Sequence, residues 1–131
     1  MLGLLTSLST AFLLAAVSVA MINPEFPPYF TYPTSGMTWG PGDYVNIEWH
    51  NVLSGSVNLI LQGAEGTSSA QTVRSITITE GAAAADSCWG GCGRFAWTVN
   101  IGDNPAGTYQ VVMYLPDDNI RFLSDKFAIT K

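Results

Sequence analysis

The feature that most constrains the fold is a strict alternation of apolar and polar side chains directly after a turn. The turn is Gly40-Pro41-Gly42-Asp43, a combination of residues typical of chain reversals. After it, Val45, Ile47 and Trp49 alternate with Asn46, Glu48 and His50. Successive side chains of a strand point to opposite faces, whereas a helix repeats every 3.6 residues. The segment therefore predicts a β-strand with one face buried around Trp49.

The same pattern recurs along the rest of the chain, and helical periodicity is absent. Short alternating or β-branched segments, separated by turn residues, are predicted to be strands at 44–50, 57–61, 73–79, 94–99, 107–115, 120–122 and 127–130. Residues 26–32 lie among several prolines, which are tolerated at the edge of a sheet but not at its centre. We therefore predict an all-β antiparallel sandwich of about seven strands, with residues 26–32 along its margin.

Strand parity also predicts which aromatic residues are buried. It places Trp49, Trp97 and Tyr109 in the core, together with Ile76 and Ile78. Gly107-Thr108-Tyr109 follows a turn at residues 102–105 and predicts a tyrosine corner. In this motif the tyrosine hydroxyl bonds back to the preceding connection.

The N-terminal segment is predicted to be a signal peptide spanning residues 1–20. Its apolar run, Ala11 to Val19, is too short for a stable membrane span, and Ser18 and Ala20 supply the small residues that signal peptidase reads. No basic residue precedes this run, so a membrane anchor or amphipathic helix is the alternative. We expect a mature domain of residues 21–131 that is secreted. No second apolar run follows, which argues against a membrane-spanning or glycolipid-anchored protein.

The charge of the chain restricts the classes of partner that it can bind. Five Lys and Arg against ten Asp and Glu give a net charge of −5, which disfavours nucleic acid as a partner.

Cys88 and Cys92 lie in a Gly81 to Gly93 insertion, where Ala82 to Ala85 could form one helical turn. For an exported chain this spacing predicts a disulfide. A zinc site lacks ligands, and redox motifs have two intervening residues rather than three.

Catalytic machinery is not evident, so we predict a non-enzymatic protein without cofactor or metal. His50 is the only histidine and lies on the solvent side of its strand. Ser54 and Ser56 lack a nucleophile elbow, and the carboxylates lie mostly in turns rather than in the pair that glycoside hydrolysis needs. Asp117-Asp118-Asn119 hints at calcium, but hairpin formation explains it.

Exposed aromatic rings are the candidate ligand-binding groups, because sugars stack their apolar faces on Trp and Tyr. The candidates are Trp89 in the cysteine loop, Tyr114 on an outward strand face, and Tyr32 and Trp39 near the proline-rich edge, with Tyr29 beside them. The alternative for each is packing over the rim of the sandwich.

Several segments together resemble a known family. They are Tyr32-Pro-Thr-Ser-Gly-Met-Thr-Trp39, Gly42, Val45-Asn-Ile-Glu-Trp49, Val57-Asn-Leu-Ile-Leu61, Trp97-Thr-Val99, Ala106-Gly-Thr-Tyr-Gln-Val111 and residues 124–129. In this order they are similar to the N-terminal domain of fungal killer-toxin-resistance-type cell-wall proteins, related to Ser/Thr-rich glycolipid-anchored surface proteins. The resemblance implies an immunoglobulin- or fibronectin-like sandwich and a role in assembly of cell-wall β-1,6-glucan. The expected partner is β-glucan or, alternatively, another extracellular protein bound by an adhesion module.

Overall fold

The computed structural model describes residues 20–23, 25–85, 88, 91–116 and 120–131. Strands in this part of the chain are β1 (Met21–Ile22), β2 (Tyr29–Tyr32), β3 (Thr38–Trp39), β4 (Tyr44–His50), β5 (Val52–Ser54), β6 (Ser56–Gly63), β7 (Ile76–Ala83), β8 (Gly93–Thr98), β9 (Gly107–Tyr114), β10 (Arg121–Leu123) and β11 (Phe127–Ile129). A single short helix, α1 (Ser69–Thr72), is found among them. All seven predicted strands have a counterpart, namely β4 and β6 to β11.

One layer of the sandwich is a three-stranded antiparallel sheet in the order β2-β4-β8. Strand β4 pairs along its whole length with β8, from Tyr44 opposite Thr98 to Trp49 opposite Gly93. Strand β2 pairs with only the last part of β4, where Tyr29 lies opposite His50. The prediction that the proline-flanked segment forms an edge strand is confirmed.

The other layer is a six-stranded sheet in the order β3-β11-β9-β6-β7, with β10 also beside β9. Its pairs are antiparallel except β3 with β11, which is parallel. Strand β9 is central, because β6 lies on one side and both β10 and β11 lie on the other. A separate two-stranded ladder joins β1 to β5.

The core lies between these two sheets and follows the predicted alternation. Ile47 and Trp49 from β4 meet fully buried residues of the larger sheet, among them Val57, Leu59, Leu61, Tyr109, Val111 and Met113. Trp97 is half-buried and packs against this cluster, as do Ile76 and Ile78. The assignment of Trp49 and Tyr109 to the core is therefore confirmed, whereas Trp97 is only partly buried at its border.

The tyrosine corner is present. The Tyr109 hydroxyl donates a hydrogen bond to the Pro105 carbonyl oxygen, four residues earlier, at 2.5 Å. This bond ties the central strand β9 to the connection that precedes it.

Two local expectations differ from the structure. Ala82 and Ala83 do not form a helical turn, because they continue β7 and pair with Val57 and Ser56 of β6. The insertion is thus shorter than the sequence suggests. The second face of β9, which is expected to point outward at Tyr114, is also largely buried: Gln110 and Val112 are buried, and Gln110 accepts a hydrogen bond from the Glu65 amide and donates one to the Ser124 carbonyl.

Residues 117–119, which are predicted to form a hairpin connection, and nearly all of the predicted signal peptide lie outside the described residues. Within the described part, no helix has the length and apolar character needed to cross a membrane.

Candidate functional site

The outer face of the three-stranded sheet carries three exposed tyrosines. Tyr29, Tyr32 and Tyr44 are 49%, 43% and 74% exposed. The alternation that buries Ile47 and Trp49 turns Tyr44 outward, and β2 places Tyr29 opposite His50 and Tyr32 opposite Glu48. All three tyrosines therefore lie on one surface, which we call the tyrosine face.

Polar side chains lie between these rings. Asn46 and Glu48 are on the same face of β4, and Arg94 of β8 lies directly opposite Glu48. From Tyr44 to His50 the strand covers about 20 Å, at roughly 3.3 Å per residue. The face is an elongated surface with aromatic rings near both ends and hydrogen-bonding groups in the middle, which are the two kinds of contact that a sugar chain needs.

A cavity of about 400 Å³ opens beside Tyr32 along the edge of the face. Strand β2 pairs with β4 only as far as Glu48, whereas β4 extends back to Tyr44, so the register leaves a recess along this edge. Its lining is Tyr32, Met37, Trp39, Val45, Asn46 and Glu48. The lining thus combines apolar side chains with the polar side chains of Asn46 and Glu48.

The expectation that Trp39 is an exposed ring is wrong. Trp39 is only 6% exposed, and its indole packs against Phe127 and Trp97, with ring centroids 4.4 Å and 6.3 Å apart. The cause is the parallel pairing of β3 with β11, which draws residue 39 to the edge of the core. Trp39 and Tyr32 nevertheless line the same cavity, so the structure does bring these two candidates together.

The other two candidates do not join the tyrosine face. Tyr114 lies on β9 in the opposite sheet, is half-buried, and is paired with Arg121 and Asn58. Trp89 lies outside the described residues.

Sequence reasoning missed Tyr44, the most exposed aromatic residue of the face. The signal was available, because the alternation that points Asn46, Glu48 and His50 outward also points Tyr44 outward.

The predicted disulfide is present at one end of the face. Cys88 and Cys92 are bonded, with their α-carbons 5.0 Å apart. The Cys92 sulfur lies 3.4 Å from Nδ1 and 3.5 Å from Nε2 of His50. The His50 ring also stacks on Tyr29, with centroids 5.3 Å apart and planes inclined by 27°. His50 is therefore not a free surface residue but a bridge between β2 and the cysteine loop.

Two electrostatic features lie away from the face in the part of the chain that the structure describes. Arg121 and Glu65 form an ion pair of 2.9 Å between β10 and the loop after β6. Burial raises the pKa of Tyr109, the corner residue, above its ordinary value. Among the described residues, no group of three or more His, Cys, Asp or Glu side chains is arranged to hold a metal ion.

The strands and their pairing define the class of the molecule: it is an all-β sandwich of mainly antiparallel strands, and this prediction is confirmed. No family model and no curated protein matches the chain.

The solved structures that are similar to it include two at low identity. The Clostridium thermocellum CbhA fibronectin(III)-like modules share 12% identity, cover 79% of this chain and 96% of their own, and have a TM-score of 0.38. A chain of the crystal structure of Dpr1 IG1 bound to DIP-eta IG1 shares 14% identity over 82% of this chain and 98% of its own, with a TM-score of 0.33.

Proposed function

We propose that this protein is a non-enzymatic, exported module that binds cell-wall β-glucan through the tyrosine face. The observation that carries the proposal is the alignment of Tyr29, Tyr32 and Tyr44 on one exposed sheet surface. Large exposed aromatic rings are costly in water unless a ligand covers them, and the apolar face of a pyranose ring is a suitable cover.

The polar groups of the face fit the hydroxyls of a sugar. Asn46 offers both a donor and an acceptor, Glu48 accepts, and Arg94 donates. These three side chains are placed between the aromatic rings by the register of β4 with β8. Together they allow stacking and hydrogen bonding along the same chain.

Charge favours a neutral polymer over an anionic one. The protein carries a net charge of −5, so a polyanion would be repelled at long range. β-Glucan is uncharged and meets no such barrier. The resemblance to killer-toxin-resistance-type proteins implies the same polymer class, and export follows if residues 1–20 act as a signal peptide. Fractionation of tagged protein into medium, wall and membrane tests the location.

Retention on insoluble β-1,3-glucan, β-1,6-glucan and chitin tests the binding. We expect retention on a β-glucan that falls about fivefold or more in Tyr44→Ala and in Tyr29→Ala, since loss of one stacking contact costs about 1 kcal/mol. Tyr44→Phe keeps the ring and should keep binding. Ile120→Ala, which truncates an exposed apolar side chain elsewhere, is the matched control and should bind like the parent.

Failure of the parent protein to bind any of the three polymers would contradict the proposal. The alternative would then be an adhesion module that contacts another extracellular protein. Among the described strands β8 pairs only with β4, so its outer edge offers such a partner an unpaired strand.

A further inference from the structure

Strand β8 forms one edge of the three-stranded sheet and lacks the features that normally protect such an edge. Natural proteins protect exposed edge strands by keeping them very short, by bulges or by proline. In the described part of the chain, β3 and β10 have only two and three residues, and the ladders of β2 and β7 contain register shifts. By contrast, β8 has six residues and pairs with β4 in an unbroken register. Its free edge is therefore a regular template for another strand.

The backbone groups on this free edge can be assigned to residues. The Val99 amide donates to the Asp43 carbonyl, in the register of the β4–β8 ladder. Along an antiparallel strand, residues that bond to one neighbour alternate with residues whose amide and carbonyl face the other side. Counting back from Val99, the backbone groups of Arg94, Ala96 and Thr98 face away from β4. Since β8 pairs with no other described strand, these amides and carbonyls are open to a further strand.

We propose that β8 pairs with β8 of a second copy of this chain, in antiparallel orientation, about a twofold axis at Ala96. The hydrogen-bonded pairs are then Ala96 with Ala96 of the second copy at the axis, and Arg94 with Thr98 on either side of it. Three such pairs with two bonds each give about six inter-strand hydrogen bonds. An axis at a neighbouring residue pairs fewer of the free groups, so Ala96 is the position that the edge favours.

The side chains of β8 suit a second copy in this register. Ala96 is small and exposed, so nothing bulky lies at the axis. Arg94, the charged residue of the strand, lies opposite Thr98 and not opposite itself, so like charges do not meet. On the inner face, Phe95 lies opposite Trp97 of the second copy on each side of the axis. Both rings are half-buried at the border of the core, and cross-strand aromatic pairs are stabilising. The second copy thus covers aromatic surface that the single chain leaves in water.

The symmetry of this contact limits the assembly to two copies. Both chains use the same edge, so no β8 edge remains for a third copy. The two three-stranded sheets join into one continuous sheet that ends on both sides in β2. On its outer face Thr98 lies between Tyr44 of its own chain and Arg94 of the second copy, so the two tyrosine faces become one surface. The pairing itself does not depend on the proposed glycan binding.

Sedimentation velocity of the purified full chain, over a range of concentrations, tests the dimer. We expect a monomer–dimer equilibrium whose dissociation constant rises about fivefold or more in Ala96→Lys, because two like charges then lie directly opposite at the axis. Ala83→Lys is the matched control, since it adds the same charge at an exposed alanine of another edge strand, β7, and should associate like the parent. A parent that stays monomeric at every concentration would overturn the proposal and leave the edge to a different protein. Unchanged association in a folded Ala96→Lys variant would also overturn it.

Amide hydrogen exchange in the parent protein tests the register and does not depend on any variant folding. The amides of Arg94, Ala96 and Thr98 should exchange rapidly in the dilute monomer and about tenfold more slowly at concentrations where the dimer dominates. The amides of Phe95 and Trp97 face β4, so they should exchange slowly at both concentrations. A dimer without protection at the first three amides would place the interface elsewhere and overturn the proposal. Glucan retention enters neither measurement, so the glycan proposal and the dimer proposal can fail separately.

Discussion

Gly93 lies directly against the indole ring of Trp49. The two residues are cross-strand partners of β8 and β4, and Trp49 is fully buried while its Nε1 donates a 2.9 Å hydrogen bond to the Ala84 carbonyl. A side-chain carbon at position 93 would overlap atoms of the ring itself. The absence of a side chain at Gly93 is therefore what lets Trp49 reach its acceptor in the last turn before the cysteine loop.

We expect Gly93→Ala to destabilise the domain by about 3 kcal/mol or more, because a rigid, hydrogen-bonded ring cannot move aside without losing its packing. Urea unfolding followed by tryptophan fluorescence measures the change. Gly40→Ala is the control, since a carbon there meets its neighbours at ordinary contact distance, 3.5 Å from Thr130 Oγ1. Equal stability of the two variants would show that the Trp49 pocket adapts.

The framework of the sandwich could be predicted because it depends on local alternation. The buried faces of β4 and β6 follow from residue parity alone, and the tyrosine corner follows from Tyr109 after a turn. Ala82 and Ala83 were ambiguous, since alanine favours a helix unless a neighbouring strand captures it. The pairing of these two alanines with β6 is a long-range contact, and nothing in the adjacent sequence indicates it.

The candidate site was less predictable because it, too, depends on contacts between residues far apart in the chain. Tyr32 and Tyr44 could be found from exposure patterns, but the burial of Trp39 depends on its pairing with β11, some 90 residues later. The contact of His50 with Cys92 spans 42 residues and depends on the return of the chain into β8. No spacing within either segment indicates it.

We expect Asn104 to stabilise the segment before β7 through two side-chain hydrogen bonds. Its Oδ1 accepts from the Arg74 amide at 2.7 Å and its Nδ2 donates to the Arg74 carbonyl at 2.9 Å, in a buried position. Asn104→Ala removes both bonds and should cost about 2 kcal/mol of unfolding free energy.

Asn104→Asp tests the geometry more closely. It keeps the acceptor but directs a carboxylate oxygen at the Arg74 carbonyl, so we expect it to be no more stable than Asn104→Ala. The control is Asn100→Ala, which loses one exposed bond to the Gly102 amide and should change stability by less than about 1 kcal/mol. If Asn104→Asp were as stable as the parent in urea unfolding, that result would contradict the stabilising role of the two hydrogen bonds.

Removal of the disulfide should leave the sandwich folded. The chain-entropy relation for so short a loop gives about 2 kcal/mol, a minor share of what two packed sheets supply. We expect Cys88→Ala with Cys92→Ala to retain the parent's far-ultraviolet dichroism and to unfold cooperatively at a lower urea concentration. Loss of the folded state would show that the crosslink, and not the core around Trp49, holds the β4–β8 end together.

The tyrosine corner should give the domain a dependence on alkaline pH. Burial raises the pKa of Tyr109 above 10.0, so the folded state keeps a proton that the unfolded state loses earlier. The stabilisation by this group is complete below about pH 10 and decreases as the pH rises from there through the folded-state pKa.

At about pH 7, Tyr109→Phe should be less stable by about 1 kcal/mol, because the bond to the Pro105 carbonyl is lost. That difference should shrink at about pH 10.5, since phenylalanine does not titrate. Urea unfolding of both proteins at the two pH values measures it, with Tyr44→Phe as an exposed control that should follow the parent at both. A gap that stays constant or widens with pH would exclude Tyr109 as the titrating group.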